Sequence, residues 1–449
     1  MTNFKSWPVA DLTCGRITGL FGTNSSGKTS LIQFLLLMKQ TKDATDRGLS
    51  LELNGDLVQL GTIKDCIHQH DAAKSMEWSL RFALNKNLQI SDPTKGKKSL
   101  IASAPDLELS SQVYSRKEAP AAHRLSYRLG EIIFSLAPKN GDSSQFELSS
   151  SSTGNSKKIF TFIRTKGRPW QLPGPIKSYA FPDQARTYFQ NAGFLADLEA
   201  AYEAEMDRIF YLGPLREFPK RDYLWARSRP TDVGQRGEKA IDAILAATQK
   251  EEQRNLKFRA PRMAFQEVIA HWLREIGLIE EFSVREIAEG SNRWQAWVKT
   301  RSGASEVLLT DVGFGVSQVL PVVSLLQYVP EGSTVILEQP EIHLHPLAQA
   351  GLADVIIQAA THRKVQVIVE SHSEHLLLRL QRRVAEERVS SEDVKLYFCE
   401  APDGASRLIP LDLDLYGNIR NWPKKFMGDA FTEAAEAELA RLRRMSAAE

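Results

Sequence analysis

A run of eight residues near the amino terminus has the composition and spacing of a loop that binds phosphate. It reads Gly22-Thr23-Asn24-Ser25-Ser26-Gly27-Lys28-Thr29 and matches the pattern G-x-x-x-x-G-K-[ST]. In such a loop, successive backbone N–H groups and the positive end of the following helix dipole together cradle the phosphates of a nucleotide. Lys28 should reach the β- and γ-phosphates, and the Thr29 hydroxyl should bind Mg²⁺. The sequence therefore predicts a nucleotide site that extends to Ser30.

Three segments in the last third of the chain carry groups that complete such a site. Residues 311–318 form a glycine-containing turn that opens a helix, and a helix N-terminus favours an anion. The apolar strand 334–337 ends at Glu338, where a carboxylate would hold Mg²⁺ through water. A second apolar strand, 365–369, leads to His372. These groups predict the far half of the phosphate site.

The elements around these residues indicate how they are positioned. Strand 17–21 precedes the glycine-rich loop, and the helix that follows is apolar on nearly every side, which is typical of a buried helix. From about residue 50 to 165 the pattern has period two, which predicts an antiparallel meander, with the serine-rich residues 149–156 at a hairpin tip. Residues 183–275 are helical in pattern, and strands and helices alternate after 317, as in a parallel sheet with crossover helices.

Composition limits the class of protein. The chain has 449 residues, 42% hydrophobic and 25% charged, which excludes wholesale disorder. A formal net charge of +2 gives no global field that would attract nucleic acid or a membrane surface. Cys14, Cys66 and Cys399 lie far apart, so neither a disulfide framework nor a structural zinc site is indicated. No apolar run is long enough to span a bilayer and no signal-peptide pattern is present, so we expect no membrane partner and a cytoplasmic protein.

The order of these segments resembles that of the ABC-type ATPases of the SMC/RecF class. They are similar to that family's Walker A, signature loop, Walker B, D-loop and switch histidine. Residues 337–346 and 370–375 more closely resemble the short-armed, overcoming-lysogenization-defect-like ATPases. Within that group the likeness is to stand-alone members without a fused nuclease, which often accompany an effector in antiphage systems. Local likenesses at residues 3–7, 211–216 and 421–423 extend the resemblance along the whole chain.

The resemblance implies a dimer with two ATP molecules sandwiched between two heads. Ser317 of one subunit, flanked by Gly315 and Gln318, would contact the γ-phosphate bound by Lys28 of the other. The dimer or higher homo-oligomer would come apart when hydrolysis removes that phosphate. ATP and Mg²⁺ are therefore the expected cofactors, with Thr29 and Glu338 as the metal ligands.

One position departs from the family pattern. Most relatives have Asp-Glu where this chain has Glu338-Gln339, and a neutral glutamine cannot take a proton from water. Gln339 could still orient the water. We expect slow hydrolysis and a long-lived ATP-bound state, with Glu341 or His372 as compensating groups.

The sequence as a whole predicts an α/β fold: an ABC-type P-loop head with a mixed sheet, an antiparallel meander and a mostly helical insertion. The predicted parts are a first head lobe (1–180), the insertion (181–280), a second head lobe (281–415) and a C-terminal appendage (416–449). The favoured function is an ATP-gated sensor or clamp that controls a separate effector protein in antiphage defence.

Two other functions stay open at this point. A RecF-like ATPase would bind DNA itself, and the basic and aromatic residues of segment 216–229 are its candidate contact. A metal-dependent hydrolase would use the histidines at 343, 345, 372 and 375 as zinc ligands.

Overall fold

The structure, a computed structural model, describes residues 1–95, 99–154, 160–167, 171–257, 259–423 and 437–441. Most of the predicted C-terminal appendage therefore lies outside the described residues. The chain divides into two compact units. The first unit consists of Met1–Asp11, Thr29–Ile209 and Ala401–Arg407. The second consists of Leu12–Lys28, Phe210–Glu400 and Leu408–Glu449.

The helices and strands are numbered in chain order. The α-helices are α1 (Lys28–Asp43), α2 (Ile63–Cys66), α3 (Asp183–Tyr188), α4 (Leu195–Asp207), α5 (Ala240–Gln249), α6 (Phe265–Glu275), α7 (Phe314–Tyr328), α8 (Pro346–His362) and α9 (Glu374–Ala385). The strands are β1 (Thr2–Phe4), β2 (Trp7–Val9), β3 (Ile17–Gly22), β4 (Met76–Ser91), β5 (Leu100–Arg116), β6 (Ala119–Leu129), β7 (Ile132–Lys139), β8 (Asp142–Ser152), β9 (Ile209–Leu212), β10 (Tyr223–Leu224), β11 (Gln253–Asn255), β12 (Arg262–Ala264), β13 (Glu281–Glu286), β14 (Arg293–Lys299), β15 (Val307–Leu308), β16 (Thr334–Glu338), β17 (Gln366–Glu370), β18 (Val394–Glu400) and β19 (Arg407–Leu411).

The first unit is built on a seven-stranded sheet in the order β2-β1-β4-β5-β6-β7-β8. Neighbouring strands from β4 to β8 follow one another along the chain and pair antiparallel. Alternate residues of β5, including Leu107, Leu109 and Val113, are buried, as the period-two pattern requires. The predicted antiparallel meander is therefore confirmed.

The serine-rich stretch is not the hairpin tip that the sequence suggested. Residues 149–152 belong to β8, and Ser150 pairs with Phe134 of β7. The prediction was wrong because β8 is an edge strand of the sheet. Its small polar side chains can face solvent, since backbone hydrogen bonds to β7 hold the strand in place. Residues 155 and 156, the rest of the predicted tip, lie outside the described residues.

The second unit is built on a six-stranded sheet in the order β19-β18-β3-β17-β16-β9. The pairs β16/β17, β17/β3 and β18/β3 are all parallel, which confirms the predicted parallel sheet. Because these four strands run the same way, their carboxyl ends meet at one edge, which we call the carboxyl edge. Strands β3, β16 and β17 are buried along nearly their whole length, as is usual for central parallel strands.

Residues 181–280 contain helices α3 to α6 but also the short strands β9 to β12. Strand β9, with the sequence Ile-Phe-Tyr-Leu, joins the edge of the six-stranded sheet, since branched and aromatic side chains suit a half-buried pleated surface. Strands β13 and β14 follow this segment and pair antiparallel. Within the described residues, no helix combines the length and apolar character that a membrane span needs.

Candidate nucleotide site

The glycine-rich loop begins where β3 ends at Gly22 and finishes where α1 begins at Lys28. Gly22 has φ of 143° and pairs with Cys399 of β18; a Cβ there would lie 2.1 Å from the Cys399 carbonyl oxygen. Gly27 has φ of 92°, which side-chain-bearing residues rarely adopt. Both positions therefore need glycine. The predicted strand–loop–helix context of the phosphate loop is present.

The side chain of Lys28 lies over the loop itself. Its Nζ donates hydrogen bonds to the carbonyl oxygens of Gly22, at 3.1 Å, and Thr23, at 2.8 Å. Burial lowers the pKa of Lys28, and the nearby Glu370 and Glu341 oppose that shift. The lysine is thus placed between the loop and the carboxylates at the carboxyl edge. Thr29 and Ser30 are the second and third residues of α1.

Two carboxylates lie side by side at the carboxyl edge. Glu338 ends β16 and Glu370 ends β17, and the two residues are direct partners in the parallel register. Both are buried, at 6% and 2% exposure. Burial, followed by the charge of Glu370, raises the pKa of Glu338 to about 7. A pair of buried carboxylates, one of them with a raised pKa, fits a divalent cation such as Mg²⁺, because oxygen ligands suit that ion and its charge would offset theirs.

Tyr211 and Arg216 contact Glu338, although neither was among the predicted site residues. The Tyr211 hydroxyl donates to Glu338 Oε1 at 3.0 Å, and Arg216 Nη2 donates to the Glu338 carbonyl oxygen at 3.3 Å. Arg216 is 5% exposed, and its Nε and Nη1 have no hydrogen-bond partner in the described part of the chain. A buried guanidinium with spare donors is suited to an anion. The only sequence signal for this pair was the family likeness of residues 211–216.

The three remaining predicted catalytic residues lie beside this carboxylate pair. Gln339, at φ of 42°, follows Glu338, and its backbone N–H donates to the Glu370 carbonyl oxygen at 2.8 Å. Glu341 Oε1 accepts a hydrogen bond from the backbone N–H of His372 at 2.7 Å, and burial raises the pKa of Glu341. Partial burial and the Lys28 charge lower the pKa of His372, which favours the neutral ring. The structure thus brings Lys28, Glu338, Gln339, Glu341 and His372 together.

The glycine-containing turn at residues 311–318 opens α7, as predicted, with the first helical residue at Phe314. Ser317 is buried, and its hydroxyl donates to the Phe314 carbonyl oxygen at 2.8 Å. A Cβ on Gly315 would lie 3.3 Å from Leu344 and 3.4 Å from the His343 carbonyl oxygen, so the turn packs closely on the segment after β16. Gln318 is also buried. The signature-like turn is therefore fixed to the Walker B region of the same unit.

The histidine-centred zinc hypothesis finds no ligand set. In the described part of the chain, no group of three or more His, Cys, Asp or Glu side chains could hold a metal ion. His345 caps the start of α8 by accepting from the Leu347 N–H, and His343 packs edge-on against Phe314 with 5.0 Å between ring centroids. His375 is exposed in the first turn of α9. These histidines have separate surroundings.

The basic and aromatic segment 216–229 is dispersed in the structure. Arg216 faces the carboxylates, Arg221 pairs with Asp311 at 3.0 Å, and Arg229 pairs with Glu252 at 3.0 Å. Trp225 is buried against Trp294. The segment therefore divides between buried residues, Arg216 and Trp225, and exposed ones that include Phe218, Lys220 and Arg227.

A family model described as an AAA domain, putative AbiEii toxin, Type IV TA system, matches residues 17–379, which is more than half of the chain. The chain belongs to this family. The matched range runs from the first residue of β3 into α9 and so contains every residue of the site described above. A second model, described as a protein of unknown function (DUF3696), matches residues 389–436. Membership identifies the chain as a P-loop ATPase.

The structure is also similar to solved SMC head domains. For an SMC head bound to the C-winged helix domain of ScpA, the identity is 13%, the match covers 92% of this chain and 96% of that one, and the TM-score is 0.42. For the SMC head domain of Thermotoga maritima, the identity is 11%, the match covers 92% of this chain and 97% of that one, and the TM-score is 0.36. For the Pyrococcus furiosus SMC head bound to the C-terminal domain of ScpA, the identity is 11%, the match covers 98% of each chain, and the TM-score is 0.41. No curated protein matches the chain.

Proposed function

We propose that this protein is an ATP-gated dimeric sensor or clamp that controls a separate effector protein in antiphage defence. The observation that carries the proposal is the close packing of the Gly315 turn on His343 and Leu344, directly after Glu338 and Gln339. A segment that meets a partner's nucleotide would thus be mechanically joined to the carboxylates of its own nucleotide site. The family's description as a putative toxin of a toxin–antitoxin system supports a role alongside a second protein.

Each residue has a defined part in this proposal. The loop N–H groups and Lys28 would bind the phosphates of ATP, and Glu338 would hold Mg²⁺, the role that the sequence also predicts for the Thr29 hydroxyl; the ion would supply positive charge against the phosphates. Tyr211 orients the Glu338 carboxylate by donating a hydrogen bond to it. Arg216 supplies positive charge from its position at the Glu338 backbone carbonyl oxygen. Glu341, with a raised pKa and a position near Lys28, is the candidate acceptor of the proton of the attacking water.

Hydrolysis should be slow because Gln339 cannot act as a base. We expect Gln339→Glu to raise kcat about tenfold or more, since a carboxylate at this position supplies general-base catalysis. The measurement is phosphate release at saturating ATP and Mg²⁺, compared with Gln339→Ala. A Gln339→Ala protein as fast as the wild type, with no gain from glutamate, would show that position 339 takes no part in hydrolysis.

ATP should change the assembly state. We expect native mass measurement to give a larger assembly with ATP than with ADP, because the γ-phosphate bridges two subunits in the proposed dimer. Lys28→Ala should abolish the difference, since the lysine holds that phosphate. The exposed Lys250→Ala is a matched control that should behave like the wild type. The same mass in ATP and ADP would contradict the clamp, whatever the rate of hydrolysis.

A further inference from the structure

A large cavity lies in the second unit, away from the nucleotide site. Its volume is about 940 Å³. Pro330 and Glu331, which precede β16, and His362 and Arg363, which precede β17, form part of its wall. The cavity is therefore at the amino ends of these strands, whereas Glu338 and Glu370 are at their carboxyl ends. Five residues of strand place the two sites about 16 Å apart.

The wall of this cavity is strongly basic. Among its described lining residues, Glu331 is the one acidic side chain. The basic ones are His362 and six cations: Arg229, Arg254, Lys257, Arg259, Arg262 and Arg363. In a chain of net charge +2, this is a local concentration of positive charge. Like charges brought together in one concave space repel one another, so an anionic ligand would relieve an existing cost.

The innermost cations are held in place by the protein. Arg363 is 5% exposed and donates to the carbonyl oxygens of Leu326 and Val329 at the end of α7, while its Nε has no hydrogen-bond partner within the described residues. Arg254 pairs with Glu252 at 2.7 Å. Both guanidinium groups thus form a fixed back wall, and fixed donors lose little conformational entropy when a ligand binds.

The cations at the rim are different. Lys257 and Arg262 are exposed on the hairpin formed by β11 and β12, and neither side chain has a hydrogen bond or ion pair with another described residue. Arg229 at the opposite side lies over the Tyr328 ring, 5.9 Å from its centroid. Lys257 and Arg262 are therefore rim cations that no described residue pairs, whereas Arg229 is already paired with Glu252.

We propose that this cavity binds the phosphate groups of a polyanionic ligand, either the backbone of a nucleic acid strand or a free polyphosphorylated small molecule. Planar guanidinium groups match phosphate oxygens in fork geometry, and five of the six cations are arginines. The volume lies within the range of ligand pockets, and the exposed rim leaves room for a chain that continues beyond the cavity. The proposal does not rest on ATP hydrolysis or on dimer formation.

The test uses inorganic tripolyphosphate with the full-length protein in isothermal titration calorimetry. Tripolyphosphate should occupy the phosphate loop and the cavity of the wild type, and Lys28→Ala should leave the cavity binding in place. The double variant Lys257→Glu/Arg262→Glu should weaken the cavity binding about tenfold or more, because two donors become repulsive charges. Arg301→Glu/Arg388→Glu makes the same change in net charge at exposed positions outside the cavity and should change affinity less than about twofold.

A second probe distinguishes the two sources of phosphate. The probe is a short fluorescein-labelled single-stranded oligonucleotide. If it binds the wild type but not Lys257→Glu/Arg262→Glu, the ligand is a nucleic acid backbone. Tripolyphosphate binding alone identifies a small molecule. The proposal is overturned if Lys28→Ala loses all tripolyphosphate binding, if both double variants weaken binding equally, or if polyglutamate competes as well as tripolyphosphate. Lys257→Ala/Arg262→Ala, which removes charge without reversing it, repeats the measurement if the glutamate variant does not fold.

Discussion

Replacing Arg216 with alanine should lower kcat for ATP hydrolysis about 100-fold, the usual effect of removing one fixed donor from a charged site. Arg216 is buried against the Glu338 carbonyl oxygen, and its positive charge lowers the pKa of Glu338. Without that charge, the pKa of Glu338 would rise further above 7. A larger fraction of the carboxyl would then be protonated at neutral pH and unable to hold Mg²⁺.

The pH profile separates this role from a purely structural one. In the wild type, activity should fall as the pH drops through the pKa of Glu338, near 7. In Arg216→Ala the acidic limb should move to higher pH, so part of the lost rate should return in alkaline buffer. Arg216→Lys keeps the charge but not the forked pair of donors, so its pH profile should lie between those of the wild type and Arg216→Ala.

A control from the same segment is available. Arg221 is an exposed arginine paired with Asp311, and Arg221→Ala should leave kcat within about twofold of the wild type because surface ion pairs contribute little. Thermal unfolding of each variant shows whether it is folded. If Arg216→Ala loses activity by the same factor at every pH, the guanidinium does not act through Glu338.

Short local patterns in the sequence predicted part of the site, whereas contacts between residues far apart in the chain were not predictable. The phosphate loop and the ends of β16 and β17 were predictable because each is a local pattern, and parallel strands bring their carboxyl ends to one edge. The pairing of Glu338 with Glu370 required the register of two strands. Tyr211 and Arg216 lie more than 100 residues before Glu338, and periodicity carries no information on such contacts.

The basic cavity was missed for a related reason. Four of its six cations lie within residues 254–262, but Arg229 and Arg363 come from distant parts of the chain, and the sequence does not show that these side chains line one cavity. Near-neutral net charge also concealed it, since composition averages over the surface. The serine-rich strand β8 was missed because an edge strand is held by backbone pairing and tolerates polar side chains.

Replacing Glu338 with glutamine should lower kcat for ATP hydrolysis strongly and make the protein more stable above pH 7. Glutamine keeps the shape of the side chain and an oxygen that accepts from the Tyr211 hydroxyl. It removes the charge that would bind Mg²⁺, so we expect kcat to fall about 100-fold or more. It also removes a buried carboxylate that lies beside Glu370.

The sign of the stability effect follows from proton linkage. The folded pKa of Glu338, about 7, is above its ordinary value of 4.5, so between these pH values the folded protein binds more protons than the unfolded chain. Stability contributed by this group therefore falls as pH rises from 4.5 to 7, and the loss is complete above 7. Glu338→Gln does not titrate, so its melting temperature should exceed that of the wild type at pH 8 and match it more closely at pH 5.

Magnesium should distinguish the two proteins. A cation bound at Glu338 should restore to the wild type the stability that Glu338→Gln gains by losing the buried charge. At pH 8, Mg²⁺ with ATP should raise the melting temperature of the wild type by mass action, while Glu338→Gln should respond much less. The exposed Glu289→Gln should respond like the wild type. Equal responses of Glu338→Gln and the wild type to Mg²⁺ would show that Glu338 is not a metal ligand. A lower melting temperature of Glu338→Gln at pH 8 would show that its charge is compensated within the fold, in which case Arg216 and Lys28 already satisfy the carboxylates without a metal ion.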